Sequence, residues 1–97
     1  MKPVKFHPQA ESELAGSVDF YNEHVLGLGD DFFVKVKLAS RQIQANPLRR
    51  PLRSDGTRQA RLLRFPYSVV YRDQSEQIEI IAVAHSSRRP GYWRNRL

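Results

Sequence analysis

The stretch RQARLLRFPYSVVYRDQSEQIEIIAVAH, residues 58–85, decides the fold of this chain. It is rich in Val, Ile, Leu and Tyr, and it divides at Pro66 and at the polar residues 73–76. Apolar runs of this length between turn signals predict β-strands. Because the two links are too short for a crossover connection, the strands must be antiparallel neighbours. The stretch therefore predicts a three-stranded antiparallel meander, with strands near 58–65, 67–73 and 77–84.

The last strand of this meander carries apolar side chains on both of its faces. Since side chains alternate along a strand, the two sets are Ile78, Ile80, Ala82 and Ala84 on one face, and Glu79, Ile81, Val83 and His85 on the other. A sheet with apolar residues on both faces is expected to be partly covered on both sides. On the middle strand, Tyr67 and Tyr71 are expected to be core residues.

The residues before the meander predict a short strand over 2–6 and a helix over 8–25. Pro8 suits the first turn of that helix, where its missing N–H costs little. Apolar residues recur at spacings of three and four, which makes one stripe on a helix. The stripe consists of Ala10, Leu14, Val18, Tyr21 and Val25.

A second helix is predicted over 30–45. Gly-Leu-Gly at 27–29 ends the first helix, and Asp30 and Asp31 are expected to cap the second. The short connection favours an antiparallel helical hairpin, and residues 46–56 form a loop. The predicted fold class is α+β: an N-terminal strand, an antiparallel helical hairpin on one face of the sheet, a three-stranded antiparallel meander and a short C-terminal segment.

The amino-acid composition limits the classes of partner and site that the chain can have. The formal net charge is +6, which favours phosphates or an acidic protein as partners. The chain has no cysteine, and its three separated histidines make no metal signature, so we expect no metal and no cofactor. No window approaches the ~20 apolar residues of a membrane span. We expect one cytoplasmic domain, residues 1–97, without a membrane partner.

The segment AHSSRRPGYWRNR, residues 84–96, concentrates cations and aromatic rings after the last strand. A tail without a partner is usually polar and mobile, so this segment either binds an outside molecule or folds back on the sheet. The arginines at 88–89 precede a Pro-Gly turn, and a guanidinium can bind phosphate through two parallel hydrogen bonds. Trp93 is expected to bury its ring, whereas Arg94 and Arg96 are expected to be solvated or to face a partner.

Four motifs run through the chain in order: FHPQAESEL at 6–14, GLGDDF at 27–32, RLLRFPYSVVY at 61–71 and IEIIAVAHSSRRPGYWRNR at 78–96. Together they resemble the RelE/ParE superfamily of toxins from bacterial type II toxin–antitoxin modules. The resemblance covers nearly the whole chain. It implies a toxin that inhibits growth, as in plasmid stabilization, and a cognate antitoxin that binds it through an acidic segment. One fold carries two activities in this superfamily, so the target stays open.

The RelE-like branch implies a ribosome-dependent endonuclease that cuts messenger RNA without a metal. Attack by a ribose 2′-hydroxyl needs a base, an acid and cations that stabilise the developing charge. Arginine is too basic to act as the base, and RelE-like lysines are missing because no lysine follows Lys37. The candidate catalytic residues, for a nuclease only, are His85, Arg88, Tyr92 and Arg61, with Arg64 and Arg89 as alternative matches for the two arginines.

The ParE-like branch implies a protein that poisons DNA gyrase without an established catalytic set. The HSSR and GYW elements resemble this branch more closely, and we favour it. Its residues that would contact the target or the antitoxin are Arg64, Arg88, Arg89, Trp93, Arg94 and Arg96. A relative that has lost toxicity and a plain nucleic-acid-binding module remain as alternatives.

Overall fold

The computed structural model describes residues 1–97 and contains four strands, two α-helices and a short 3-10 turn. In chain order they are β1 (Val4–Phe6), α1 (Pro8–His24), α2 (Leu28–Ala45), β2 (Arg58–Arg61), β3 (Tyr67–Asp73), β4 (Ile78–His85) and the 3-10 turn Arg94–Arg96. The strands form one sheet in the order β1-β4-β3-β2. The predicted α+β class, with two helices between an N-terminal strand and an antiparallel meander, is confirmed.

The first helix forms close to its predicted bounds. Pro8 occupies its first turn, and Nδ1 of His7 accepts a hydrogen bond of 3.1 Å from the backbone N–H of Gln9. After the helix ends, Gly27 adopts a left-handed conformation with φ +85°. Only a residue without a Cβ takes this conformation at no steric cost, and the chain reverses there into α2.

The second helix begins at Leu28, two residues earlier than predicted, and the expectation that Asp30 and Asp31 cap it was wrong. The two aspartates lie in its first turn, where the positive end of the helix dipole favours anions. A capping group comes instead from α1, because Oδ1 of Asn22 accepts a hydrogen bond of 2.7 Å from the N–H of Gly29. The packing of the two helices thus replaces the local cap.

The first predicted strand of the meander is shorter than 58–65 and ends at Arg61. Leu62 and Phe65 both turn into the core, which bends the chain between them. The backbone N–H of Leu62 donates to the carbonyl of Tyr67 over 2.9 Å and closes this bend. Strand β1 lies at the other side of the sheet, parallel to β4, with its residues opposite Ile78–Ile80.

A β-bulge in β4 overturns the face assignment made from simple alternation. Val70 pairs with Ala82 and Tyr71 pairs with Ile80, which leaves Ile81 as an extra residue without a partner on β3. An extra residue shifts the side chains that follow it to the opposite face. The observed sets are Ile78, Ile80 and Val83 toward the helices, and Ile81, Ala82 and Ala84 toward the other side.

Both faces of the sheet are covered, as the apolar pattern predicted. The helices cover one face, and the predicted core tyrosines lie there: the Tyr67 hydroxyl is 3.0 Å from the Ser17 hydroxyl, and the Tyr71 hydroxyl donates to the carbonyl of Pro47 over 2.7 Å. Trp93 covers part of the other face. Neither helix has the length and apolar character needed to cross a bilayer.

Candidate functional site

The C-terminal segment, residues 86–97, folds back over the sheet face opposite the helices. Trp93 is 6% exposed and packs with Val70 and with the three small or branched residues that β4 turns to this side. The prediction that Trp93 buries its ring is confirmed. The segment therefore braces the sheet, and its remaining cations are presented around a fixed ring.

Three side chains that are distant in sequence form a buried cluster, the Glu13 cluster, which consists of Glu13, Tyr92 and Arg96. The Arg96 guanidinium binds both carboxylate oxygens of Glu13 at 2.9 and 3.0 Å, and the Tyr92 hydroxyl donates to Oε2 over 2.7 Å. The backbone N–H of Val83 donates to Oε1 over 3.0 Å. Burial alone would raise the pKa of Glu13, but the bonds from Arg96, Tyr92 and Val83 outweigh it and lower that pKa.

The expectation that Arg96 is solvated was wrong, because its side chain is 7% exposed. Its position is set by Glu13 on α1, and no pattern in the sequence places that glutamate beside residue 96. Glu13 itself was not identified from the sequence as a site residue. The one signal for its role is its position next to Leu14 in the apolar stripe, at the boundary between the buried and solvated faces of the helix.

Tyr92 is poorly suited to the proton transfer that a nuclease would need from it. Burial, together with the hydrogen bond to the anionic Glu13, raises its pKa well above the ordinary tyrosine value. Its ring instead supports Arg88, whose guanidinium carbon lies 3.9 Å from the ring centroid. Cation–π contact at this distance holds a cation over the face of an aromatic ring. Tyr92 is thus a platform for Arg88.

Next to this platform lies a groove of about 180 Å³, here called the cationic groove. The residues that line it come from the loop before β2, from β2, β3 and the end of β4, and from the C-terminal segment: Arg53, Gln59, Ser68, Ala84, His85, Ser86, Arg88, Pro90 and Trp93. Guanidinium groups and neutral donors of this kind bind carboxylates and phosphates. Gln59 and Ser68 were not identified from the sequence, where they look like ordinary strand residues.

A second cleft, of about 310 Å³, adjoins the groove and shares Arg53 and Trp93 with it. Nε of Arg94 lies 3.5 Å from the Asp55 carboxylate at its wall. Burial would raise the pKa of Asp55, but hydrogen bonds from the Thr57 hydroxyl and N–H outweigh it and lower that pKa. Arg94 is 63% exposed, so it stays available to an outside anion.

His85 borders the cationic groove together with Arg53 and Arg88, but its ring has contacts of its own. It lies opposite Tyr67 in the sheet, and its ring packs edge-on against that tyrosine with centroids 4.9 Å apart. Nδ1 of His85 accepts a hydrogen bond of 2.9 Å from the N–H of Ser87. Since Tyr67 belongs to the helix-side core, the His85 ring lies on the opposite face of the sheet from Arg88.

The remaining predicted residues are spread over the surface. Arg61 is exposed on β2 opposite Ser68, so it stands on the groove side of the sheet, and Arg89 is exposed in the turn before Pro90. Arg64 lies elsewhere, over the Phe65 ring and 4.0 Å from the Asp31 carboxylate at the start of α2. Of the candidate nuclease residues, Arg88 lies over the Tyr92 ring and shares the lining of the groove with His85, whereas Arg61 is not among the lining residues.

Comparison with known proteins agrees with this fold. The sequence model of the family described as "ParE toxin of type II toxin-antitoxin system, parDE" matches residues 4–90. A solved chain of the chromosomal ParDE TA system from P. aeruginosa superimposes with a TM-score of 0.77 and 20% identity, over 88% of this chain and 96% of that one. No curated protein matches significantly. The family match spans almost every element described above, and the chain therefore belongs to the ParE toxin family of type II toxin–antitoxin systems.

Proposed function

We propose that this protein is a growth-inhibiting toxin that acts in the cytoplasm by binding and inhibiting DNA gyrase, and that a cognate acidic antitoxin neutralises it. Membership of the ParE family supports a toxin with an antitoxin partner. The observation that carries the gyrase target is the composition of the cationic groove. Its lining includes guanidinium groups and neutral donors that bind anions, while the His85 ring packs against Tyr67 and the Tyr92 hydroxyl is bonded to Glu13.

Arg88 is the residue proposed to contribute most to target binding. It borders the cationic groove, it rests on the Tyr92 ring at 3.9 Å, and no carboxylate is paired with it. A guanidinium held in one orientation loses less entropy on forming paired hydrogen bonds than a freely rotating one. Arg89 and Arg94 flank it and add charge that attracts an acidic surface. In this proposal Trp93 forms the apolar wall of the site.

Gyrase inhibition is tested with the purified protein in a supercoiling assay. Arg88→Ala is expected to raise the inhibitory concentration by about tenfold, the loss of one charge-assisted hydrogen-bond pair. The matched control is Arg41→Ala, which removes an exposed arginine from α2, on the helix side of the sheet. His85→Gln is expected to leave inhibition unchanged, because the ring lies on the helix side.

If the protein is instead a nuclease, the opposite results are expected. If wild-type protein arrests growth without affecting supercoiling, and messenger RNA from those cells is cut at codons in the ribosomal A site, the gyrase proposal is wrong. Loss of activity in His85→Gln would point the same way, because that histidine would then be a proton-transfer group. Tight binding to free duplex DNA with a steep salt dependence would instead indicate a plain nucleic-acid-binding module.

A further inference from the structure

On the edge that faces β1, the central strand β4 has a stretch of backbone that pairs with no strand. Strand β1 runs beside it only as far as Phe6, opposite Ile80, and the last backbone bond between them is from the N–H of His7 to the carbonyl of Ile80. Beyond that point the carbonyl of Ile81 and the N–H of Val83 form hydrogen bonds with side chains instead of with a strand. Buried backbone groups without hydrogen-bond partners cost free energy. The side chains therefore supply the hydrogen bonds that a neighbouring strand would otherwise make.

The replacements come from both ends of the chain. Oε1 of Glu13 accepts the Val83 N–H, and Nη1 of Arg96 donates to the Ile81 carbonyl over 3.0 Å. The same Nη1 also donates to Glu13, so one ion pair satisfies the strand and joins α1 to the C-terminal segment. The β-bulge at Ile81 lies in the middle of this arrangement, next to both groups.

Little else fixes the part of the segment beyond residue 86 in place. Ser86 donates its N–H to the carbonyl of Pro66, and after it every backbone hydrogen bond of the segment is local, within four residues. Trp93 supplies apolar contact, and in the Arg94–Asp55 pair the arginine is 63% exposed and reaches the carboxylate only at 3.5 Å. Exposed ion pairs contribute little free energy. The docking of the segment therefore depends on Trp93 and on the Glu13 cluster.

We propose that Glu13 is the positioning residue of the target-binding face: it holds Tyr92 and Arg96, and through them it fixes Arg88 at the mouth of the cationic groove. This inference rests on the proposed function of that groove. The connection is continuous, from the Glu13 carboxylate to the Tyr92 hydroxyl at 2.7 Å and from the Tyr92 ring to the Arg88 guanidinium at 3.9 Å. Glu13 itself does not line the groove.

The single tryptophan makes docking of the segment directly measurable. Trp93 is the only tryptophan in the chain and is buried in the segment, so acrylamide quenching of its fluorescence reports whether the segment is docked. In Glu13→Ala we expect quenching to rise toward that of the urea-unfolded chain, while the far-UV circular dichroism of the helices is kept. We expect the concentration needed to inhibit gyrase to rise by about tenfold. Glu11→Ala, an exposed glutamate one half-turn away on α1, is the matched control.

Two further variants separate positioning from general stability. Ile43→Val removes a methyl group from the helix-side core, so it should lower the denaturation midpoint without changing the quenching or the inhibition. Tyr92→Phe keeps the ring below Arg88 but removes the hydroxyl, so it should weaken inhibition less than Tyr92→Ala. These two tyrosine variants also test the proposal if Glu13→Ala fails to fold.

The possible failures are distinguishable. If Glu13→Ala leaves Trp93 as protected as in the wild type, or exposes it without weakening inhibition, Glu13 does not position the face. Equal loss of inhibition in Ile43→Val would also overturn the inference, because stability alone would then explain it. If the wild-type protein does not inhibit gyrase at all, the proposed function fails. The inference about the face then fails with it, and the quenching comparison still decides whether Glu13 holds the segment.

Discussion

Replacing Arg96 with methionine tests the Glu13 cluster as a source of stability. The change keeps the apolar part of the side chain but removes two bonds to Glu13, at 2.9 and 3.0 Å, and one to the Ile81 carbonyl at 3.0 Å. It leaves a carboxylate that is 17% exposed without its cation. Removing one partner of a buried pair costs about 3–5 kcal/mol, and residual access of water to Glu13 favours the lower end, about 3 kcal/mol.

For a domain of this size, each kcal/mol lowers the midpoint of thermal unfolding by about 4–8 °C, so Arg96→Met is expected to lower it by roughly 12–24 °C. The measurement is reversible thermal and urea unfolding, followed by circular dichroism. Arg94→Met is the matched control two residues away, since its ion pair is 63% exposed on the arginine side and such pairs contribute about 0–1 kcal/mol. Equal, small shifts in both variants would refute the view that the Glu13 cluster stabilises the fold.

Three other perturbations follow from the same structure. Because the hydrogen bonds from Arg96, Tyr92 and Val83 lower the pKa of Glu13 in the folded state, its stabilising effect is complete above the ordinary carboxylate pKa and is lost as the pH falls through the folded-state pKa. The urea midpoints of wild type and Glu13→Gln should therefore converge as the pH is lowered from neutral into the acidic range. Gly29→Ala should destabilise the fold by about 1–3 kcal/mol, because its Cβ would overlap the carbonyl oxygen of Val18. Gly16→Ala has open space around it and should stabilise the fold by about 0.5–1 kcal/mol. Calorimetry checks this, since the two variants should change the free energy of unfolding in opposite directions. Gly91→Ala should cost about 1–2 kcal/mol, because Gly91 has φ +77°, and an unchanged unfolding midpoint would contradict this.

The architecture was predictable because the local signals agreed with one another. Pro8, Gly27 and the apolar stripe of the first helix mark the helices, and the short links of the meander leave only an antiparallel arrangement. The start of α2 was not predictable, since its capping group belongs to Asn22 on the other helix. The pairing of β1 with β4 also depends on contacts across most of the chain, which no local pattern encodes.

The candidate site was only partly predictable. The sequence located the cations and the buried Trp93, but strict alternation gave the wrong faces for the residues of β4 after Ile81, because the bulge there is invisible in a run of apolar residues. The position of the His85 ring depends on which face of the sheet each residue occupies, and the role of Glu13 depends on a partner at residue 96. Spatial convergence of this kind is fixed by tertiary packing and not by spacing along the chain.

The parallel pairing of β1 with β4 has a consequence for how the protein is made. Strand β1 pairs with Ile78–Ile80, and Glu13 pairs with Arg96. During synthesis, these contacts cannot form until the later residue of each pair has left the ribosome. Contacts of such long sequence separation form slowly, since a large loop has to close first. A nascent chain therefore carries an incomplete sheet and an unassembled cationic face until synthesis has passed residue 96.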